Sequence, residues 1–198
     1  MTPPLTPSFL VAAAAGLLGV RDEGADSRGH MIERFLRGVN QPPGEPWCAA
    51  FVHHVGFWSH FDFTSRRSSW PLPATASCAT LGAYAEEQQI AHTKPQPGDV
   101  FLIWHAPTAC YAHTGIVTRV RFAGVSAGGT PWVECDTIEG NSDAGDYRGG
   151  DDGAASGVVS RVRRFYPIEP KGDRFIRWVD LDERWKAGDP RQQIERAA

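Results

Sequence analysis

The sequence predicts an α+β fold in which N-terminal helices pack on a C-terminal antiparallel β-sheet. Three observations predict it. Apolar residues ahead of the Lys94-Pro95-Gln96-Pro97-Gly98 turn recur at helical spacing, those beyond it fall in β-branched and aromatic runs, and the helix signals all precede the strand signals.

Taken in order, Ser8 is placed to cap a helix reaching Leu18, with Gly19 stopping it, and Ser27 to cap a second through His30, Ile32, Phe35 and Leu36. Pro42, Pro43 and Gly44 then break any ladder and make residues 40–46 a loop leading to Cys48. From Trp47 the residues Cys48, Phe51, Val52, Val55, Phe57 and Trp58 follow a helical period, with Pro46 just before or at the first turn. This is the helix expected to be buried. Residues 76–89 read as another, with Cys78, Leu81 and Ala85 on one side. Strands are expected at residues 100–104, 114–121, 132–138 and 158–166, and a weaker fifth at 175–181. Two long loops are expected, 122–131 and the Gly- and Asp-rich 142–157, with a polar tail after Asp182.

A chain of 198 residues with 41% hydrophobic residues can bury one full core. No composition break or repeat divides it, so a single domain over residues 1–198 is expected, its core at about 9–166. The net charge of −3 and the absence of a long basic run argue against a nucleic-acid partner. Four scattered cysteines are too few for a disulfide framework in a domain of this size, so reduced thiols are expected. The apolar stretch 9–20 has no Lys or Arg ahead of it and has Pro3, Pro4 and Pro7 where a basic segment would stand, so it reads as a helix rather than a signal peptide. It is too short to span a bilayer. Synthesis in the cytoplasm without a membrane partner is the expectation.

Chemistry concentrates at three places. Cys48 begins its helix, where unpaired backbone N–H groups and the helix dipole favour a thiolate. His113 stands at the opening of a β-branched strand, and six other histidines, at 30, 53, 54, 60, 92 and 105, compete with it. Glu139 and Asn141 end a later strand, two residues apart, so extended geometry would turn both to one side. Glu139 would share that side with Val133, Cys135 and Thr137, where a carboxylate needs a donor and an imidazole N–H would supply it. A soft nucleophile, a base and an orienting polar group are the parts of cysteine-dependent acyl transfer. Trp47, beside the nucleophile, is the expected substrate-binding aromatic; Trp104 and Trp132 read as core. There is no C-x-x-C or H-E-x-x-H, and Asp143, Asp146, Asp151 and Asp152 lack EF-hand spacing, so neither a metal nor another cofactor is expected.

Four ordered segments, 44–52 (GEPWCAAFV), 94–101 (KPQPGDVF), 112–117 (AHTGIV) and 139–141 (EGN), resemble those of CHAP domains, in the NlpC/P60 group of papain-like cysteine peptidases and amidases that cut bacterial peptidoglycan. The resemblance spans roughly residues 9–166. It implies a papain-like core, with Cys48 as nucleophile, His113 as general base and then acid, Glu139 as orienter of the imidazole and Asn141 as a secondary polar support. Some members hold calcium on aspartates ahead of the cysteine; residues 39–46 contain none, so that site is not carried over. The implied substrate is bacterial peptidoglycan, cut between muramic acid and the first alanine or within the stem or cross-bridge peptide. A chain of this kind would act on the wall after release as a phage endolysin or after delivery as a secreted effector, the latter with an immunity protein as partner. Two rivals are an inactive wall-binding or structural module and an amidase or transamidase acting on a small soluble amide.

Overall fold

The structure, a computed structural model, describes residues 6–23, 27–142 and 156–181. Pro7 rather than Ser8 sets the first helix. Its missing N–H is no loss at the first helical position, so α1 runs Pro7–Ala15 from an extended Thr6 and stops well short of Leu18. Ser27 has a φ of 49°, outside the extended region a capping residue adopts, and the chain enters α2 (His30–Arg37) through Gly29 instead. Helix α3 covers Cys48–Ser59. A short hairpin, β1 (Phe61–Asp62) with β2 (Arg67–Ser68), follows it and had no sequence signal beyond turn residues. Helix α4 covers Cys78–Glu87, where the Ser77 hydroxyl accepts from the Thr80 N–H at 3.1 Å.

The main sheet holds β3 (Ala91–His92), β4 (Val100–His105), β5 (Cys110–Val125), β6 (Pro131–Ser142), β7 (Gly157–Phe165) and β8 (Arg174–Ile176). Its order is β3-β8-β4-β5-β6-β7, with every neighbouring pair antiparallel. The α+β class is thus present, its helices N-terminal and its large sheet C-terminal. The loop expected over 122–131 is corrected: pairing continues from Phe122↔Glu134 to Val125↔Pro131, and only residues 126–130 turn, closed by Ser126 N–H to Thr130 C=O at 2.8 Å. Hairpin pairing overrides the glycine-rich composition there. His113 also stands within β5, opposite Ile103, and not at a strand opening. The second expected loop and the polar tail lie outside the described residues, apart from the loop's ends at Ser142, Ser156 and Gly157.

Two apolar clusters fill the molecule. The larger joins α1 to α4 to the sheet residues Val100, Leu102, Ile116 and Ile138, while the smaller consists of Phe101, Val117, Val133, Cys135, Phe165 and Phe175. Alternation along β4 sends Val100 and Leu102 to the first and Phe101 to the second. The short β8 lies between β3 and β4 and is followed by buried Trp178 and Leu181, so the core extends beyond residue 166. Among the described residues no helix is long and apolar enough to cross a membrane.

Candidate active site

Cys48 is the first residue of α3, and no side chain among the described residues caps that helix. Its first-turn N–H groups, that of Ala49 among them, therefore remain available to a negative charge on the sulfur. The sulfur also lies beside the His113 ring and 3.5 Å from the Cys78 sulfur. The Cys78 thiol, acting as donor, and the His113 imidazolium outweigh burial and hold the Cys48 thiol well below its ordinary pKa. Cys78 is shifted the opposite way, by its bond to Cys48 and by burial.

His113 stands where the two apolar clusters meet. Its ring centroid is 6.0 Å from that of Phe101, and its Nε2 donates to Glu139 Oε2 at 2.9 Å. That bond leaves Nδ1 as the ring nitrogen for the sulfur. Burial alone would lower the His113 pKa, but Cys48 and Glu139 together raise it to about 9. Both shifts favour a thiolate–imidazolium pair over the neutral thiol and imidazole.

Glu139 is fully buried, which opposes its charge, but donors surround it. Besides His113, the Thr137 hydroxyl donates to Oε1 at 2.7 Å, Ser142 to Oε2 at 3.3 Å, and Arg163 grips both oxygens, Nε to Oε1 at 2.7 Å and Nη2 to Oε2. His113 and Arg163 outweigh the burial and keep the carboxyl well below its usual range. Register explains the grip. Arg163 pairs opposite Cys135, and Cys135, Thr137 and Glu139 alternate onto one face of β6.

The structure therefore brings Cys48, His113 and Glu139 together. Asn141 is a correction: β6 breaks register between Glu139 and Ser142, Asn141 takes a φ of 54°, and its Oδ1 accepts from Ser156 at 3.1 Å. The irregularity ends the two-residue alternation that would have aimed it at the histidine, and Ser142 reaches Glu139 in its place. Trp47 is a second correction. It is wholly buried, 5.7 Å from Phe35 by ring centroid, with no partner for Nε1 among the described residues, so it supports the base of α3 and offers no face to a substrate. Trp104 and Trp132 are half-buried, against Tyr111 and Arg164 respectively.

The competing histidines are elsewhere. His92 bonds Asp180, His105 bonds Thr108, His60 bonds Ser59, and His53 and His54 line a cavity with Arg34 and Arg37 near the far end of α3. Sequence reading missed Arg163, Thr137, Ser142 and Cys78 as parts of the site. No group of three or more candidate metal ligands occurs among the described residues. Comparison with protein families, with curated proteins and with solved structures finds no match to this chain.

Proposed function

We propose that this chain is a cysteine-dependent amide hydrolase acting on bacterial peptidoglycan, with a papain-like arrangement of its nucleophile helix and sheet. The observation that carries the chemistry is the Cys48 sulfur beside the His113 ring and the bond from that ring to Glu139, with Arg163 anchoring the buried end. The resemblance of four ordered motifs to CHAP domains supports the substrate. The same resemblance favours an endolysin or a delivered effector with an immunity partner.

In this reading the Cys48 thiolate attacks the amide carbonyl, and the uncapped start of α3 offers its N–H groups to the developing oxyanion. His113 gives its Nδ1 proton to the leaving amine, which departs as the thioester acyl-enzyme forms. Water, deprotonated by the now neutral His113, releases the acyl group and restores the Cys48 thiolate beside a protonated His113. Glu139 holds the ring by Nε2 throughout, and Arg163 keeps Glu139 ionised and fixed.

The test is amine release and turbidity loss from purified sacculi, with fragments identified by mass. Wild type should release new amines, and Cys48→Ala should lose the activity by several orders of magnitude, since the covalent route disappears. Folded wild-type protein that frees no amine from any wall chemotype would overturn the proposal.

A further inference from the structure

Cys78 forms and breaks no bond in the proposed cleavage, yet its sulfur lies against that of the nucleophile. The two are 3.5 Å apart, both are free, and each occupies the first residue of its helix. A disulfide needs a separation of about 2.05 Å, so roughly 1.5 Å of approach remains for the pair to close. Cys135 belongs to the second apolar cluster and has no such neighbour, and Cys110 bonds Thr108 at 3.3 Å.

We infer that Cys48 and Cys78 form an oxidisable dithiol, closed to a disulfide by small hydroperoxides, that masks the nucleophile reversibly and spares it from deeper oxidation. The inference rests on the reading of Cys48 as an activated nucleophile. Cys48 retains 4% of its surface and Cys78 6%, a degree of burial that favours an oxidant as small as hydrogen peroxide over bulky disulfide oxidants. The Cys48 thiolate attacks one peroxide oxygen, the O–O bond breaks, and Cys48 sulfenic acid forms while the other oxygen takes the proton of the His113 imidazolium and leaves as water. The Cys78 sulfur then attacks the sulfenic sulfur, the S–O bond breaks, and the departing hydroxide leaves as a second water with the Cys78 proton. Two electrons pass from the two sulfurs to one peroxide. While Cys48 is anionic it holds the Cys78 proton in place; once Cys48 is oxidised that charge is gone and Cys78 can act as the resolving thiol. An external dithiol reverses the bond.

The experiment uses reduced full-length protein and near-stoichiometric hydrogen peroxide. The expected result is an intact mass lower by two hydrogen atoms, a non-reduced peptide map joining the Cys48 and Cys78 peptides, and loss of iodoacetamide labelling at Cys48 that dithiothreitol restores. Cys78→Ala and Cys78→Ser should instead gain one or two oxygen atoms at Cys48 without recovery of the doubly oxidised form. Wild-type protein that gains oxygen at Cys48 without a crosslink, or that joins Cys78 to Cys110, overturns the inference whether or not the variants fold. These readouts need no wall substrate. A crosslinking protein inert toward sacculi would retain this inference and lose the proposed function, whereas an active, non-crosslinking one would do the reverse.

Discussion

Together with His113, Arg163 keeps Glu139 charged at a fully buried position. Replacing it with Met leaves a buried carboxylate on His113, Thr137 and Ser142 alone, and breaking a buried pair from one side costs about 3–5 kcal/mol. Urea unfolding of Arg163→Met should show that loss at neutral pH, and Arg163→Lys should recover part of it, because lysine restores the charge without the two-pronged fork. The sign with pH follows from the depressed carboxyl: the stabilisation is present above its ordinary value of 4.5 and is lost as pH falls toward the native value. The gap between wild type and Arg163→Met should therefore narrow on acidification below that point. His113 runs oppositely. Its raised pKa gives stability that is full below 6.5 and lost as pH rises through about 9. Alkylation of Cys48 by iodoacetamide should accordingly be fast already at about pH 6 and ahead of Cys78 and Cys135, whereas an ordinary thiol would speed up roughly tenfold per pH unit below its pKa. A Cys48 rate rising tenfold per unit from pH 6 to 8 would refute the ion pair. Cys48, His113 and Glu139 were legible because each sits in a short, chemically distinctive segment. Arg163 was not, since it stands among Arg161, Arg163 and Arg164 in an alternating strand and only the register with β6 selects it. Cys78 begins a helix thirty positions from Cys48, and only packing reveals that they touch.

At the scale of elements, the site depends on how closely β6 approaches α3. Gly140 follows Glu139 directly, and a Cβ there would lie 2.6 Å from Phe51 Cβ and 2.7 Å from Trp47 Cζ3. Neither neighbour can yield, since both are fully buried. Gly140→Ala should cost about 1–3 kcal/mol through overpacking, and displacement of β6 from the helix that carries Cys48 should lower kcat by more than the stability loss alone explains. Circular dichroism with sacculus kinetics separates the two. Asn141, one residue further, gives a contrast: its positive φ makes Asn141→Gly nearly neutral and Asn141→Ala costlier by about 1 kcal/mol, with kcat preserved in both because its side chain faces Ser156. A hundredfold fall in kcat for Asn141→Gly would restore the catalytic role its spacing first suggested. The helices were readable from apolar period, and the four longer strands from β-branched runs. What period could not reveal was an irregularity inside β6, where the backbone leaves extended geometry and a two-residue rule stops applying.

At the scale of the whole molecule, two layers each carry half of the chemistry: the helical layer brings the sulfur, and the sheet brings the ring and its anchor. Their alignment depends on the sheet being complete, and its completion comes from the C-terminal strand. β8 separates β3 from β4; Trp178 Nε1 donates to Gly98 C=O at 2.8 Å and Arg177 bonds Asp99 at 3.2 Å, fixing the turn that opens β4. That short segment had the weakest strand signal because only three residues pair, Arg174 to Ile176. Packing gives it far more weight. Phe175, Ile176 and Leu181 are buried, each contributing about 1.5–3 kcal/mol, and with Trp178 their sum is comparable to the roughly 5–15 kcal/mol by which a domain is stable at all. A chain ending at Gly172 should therefore lack a cooperative urea transition, and its four thiols should react with iodoacetamide at similar rates. If that truncated chain still unfolds cooperatively and still labels Cys48 first, then β8 is an accessory edge, and the alignment of sulfur, imidazole and carboxylate is secured by β4 to β7 and α3 alone.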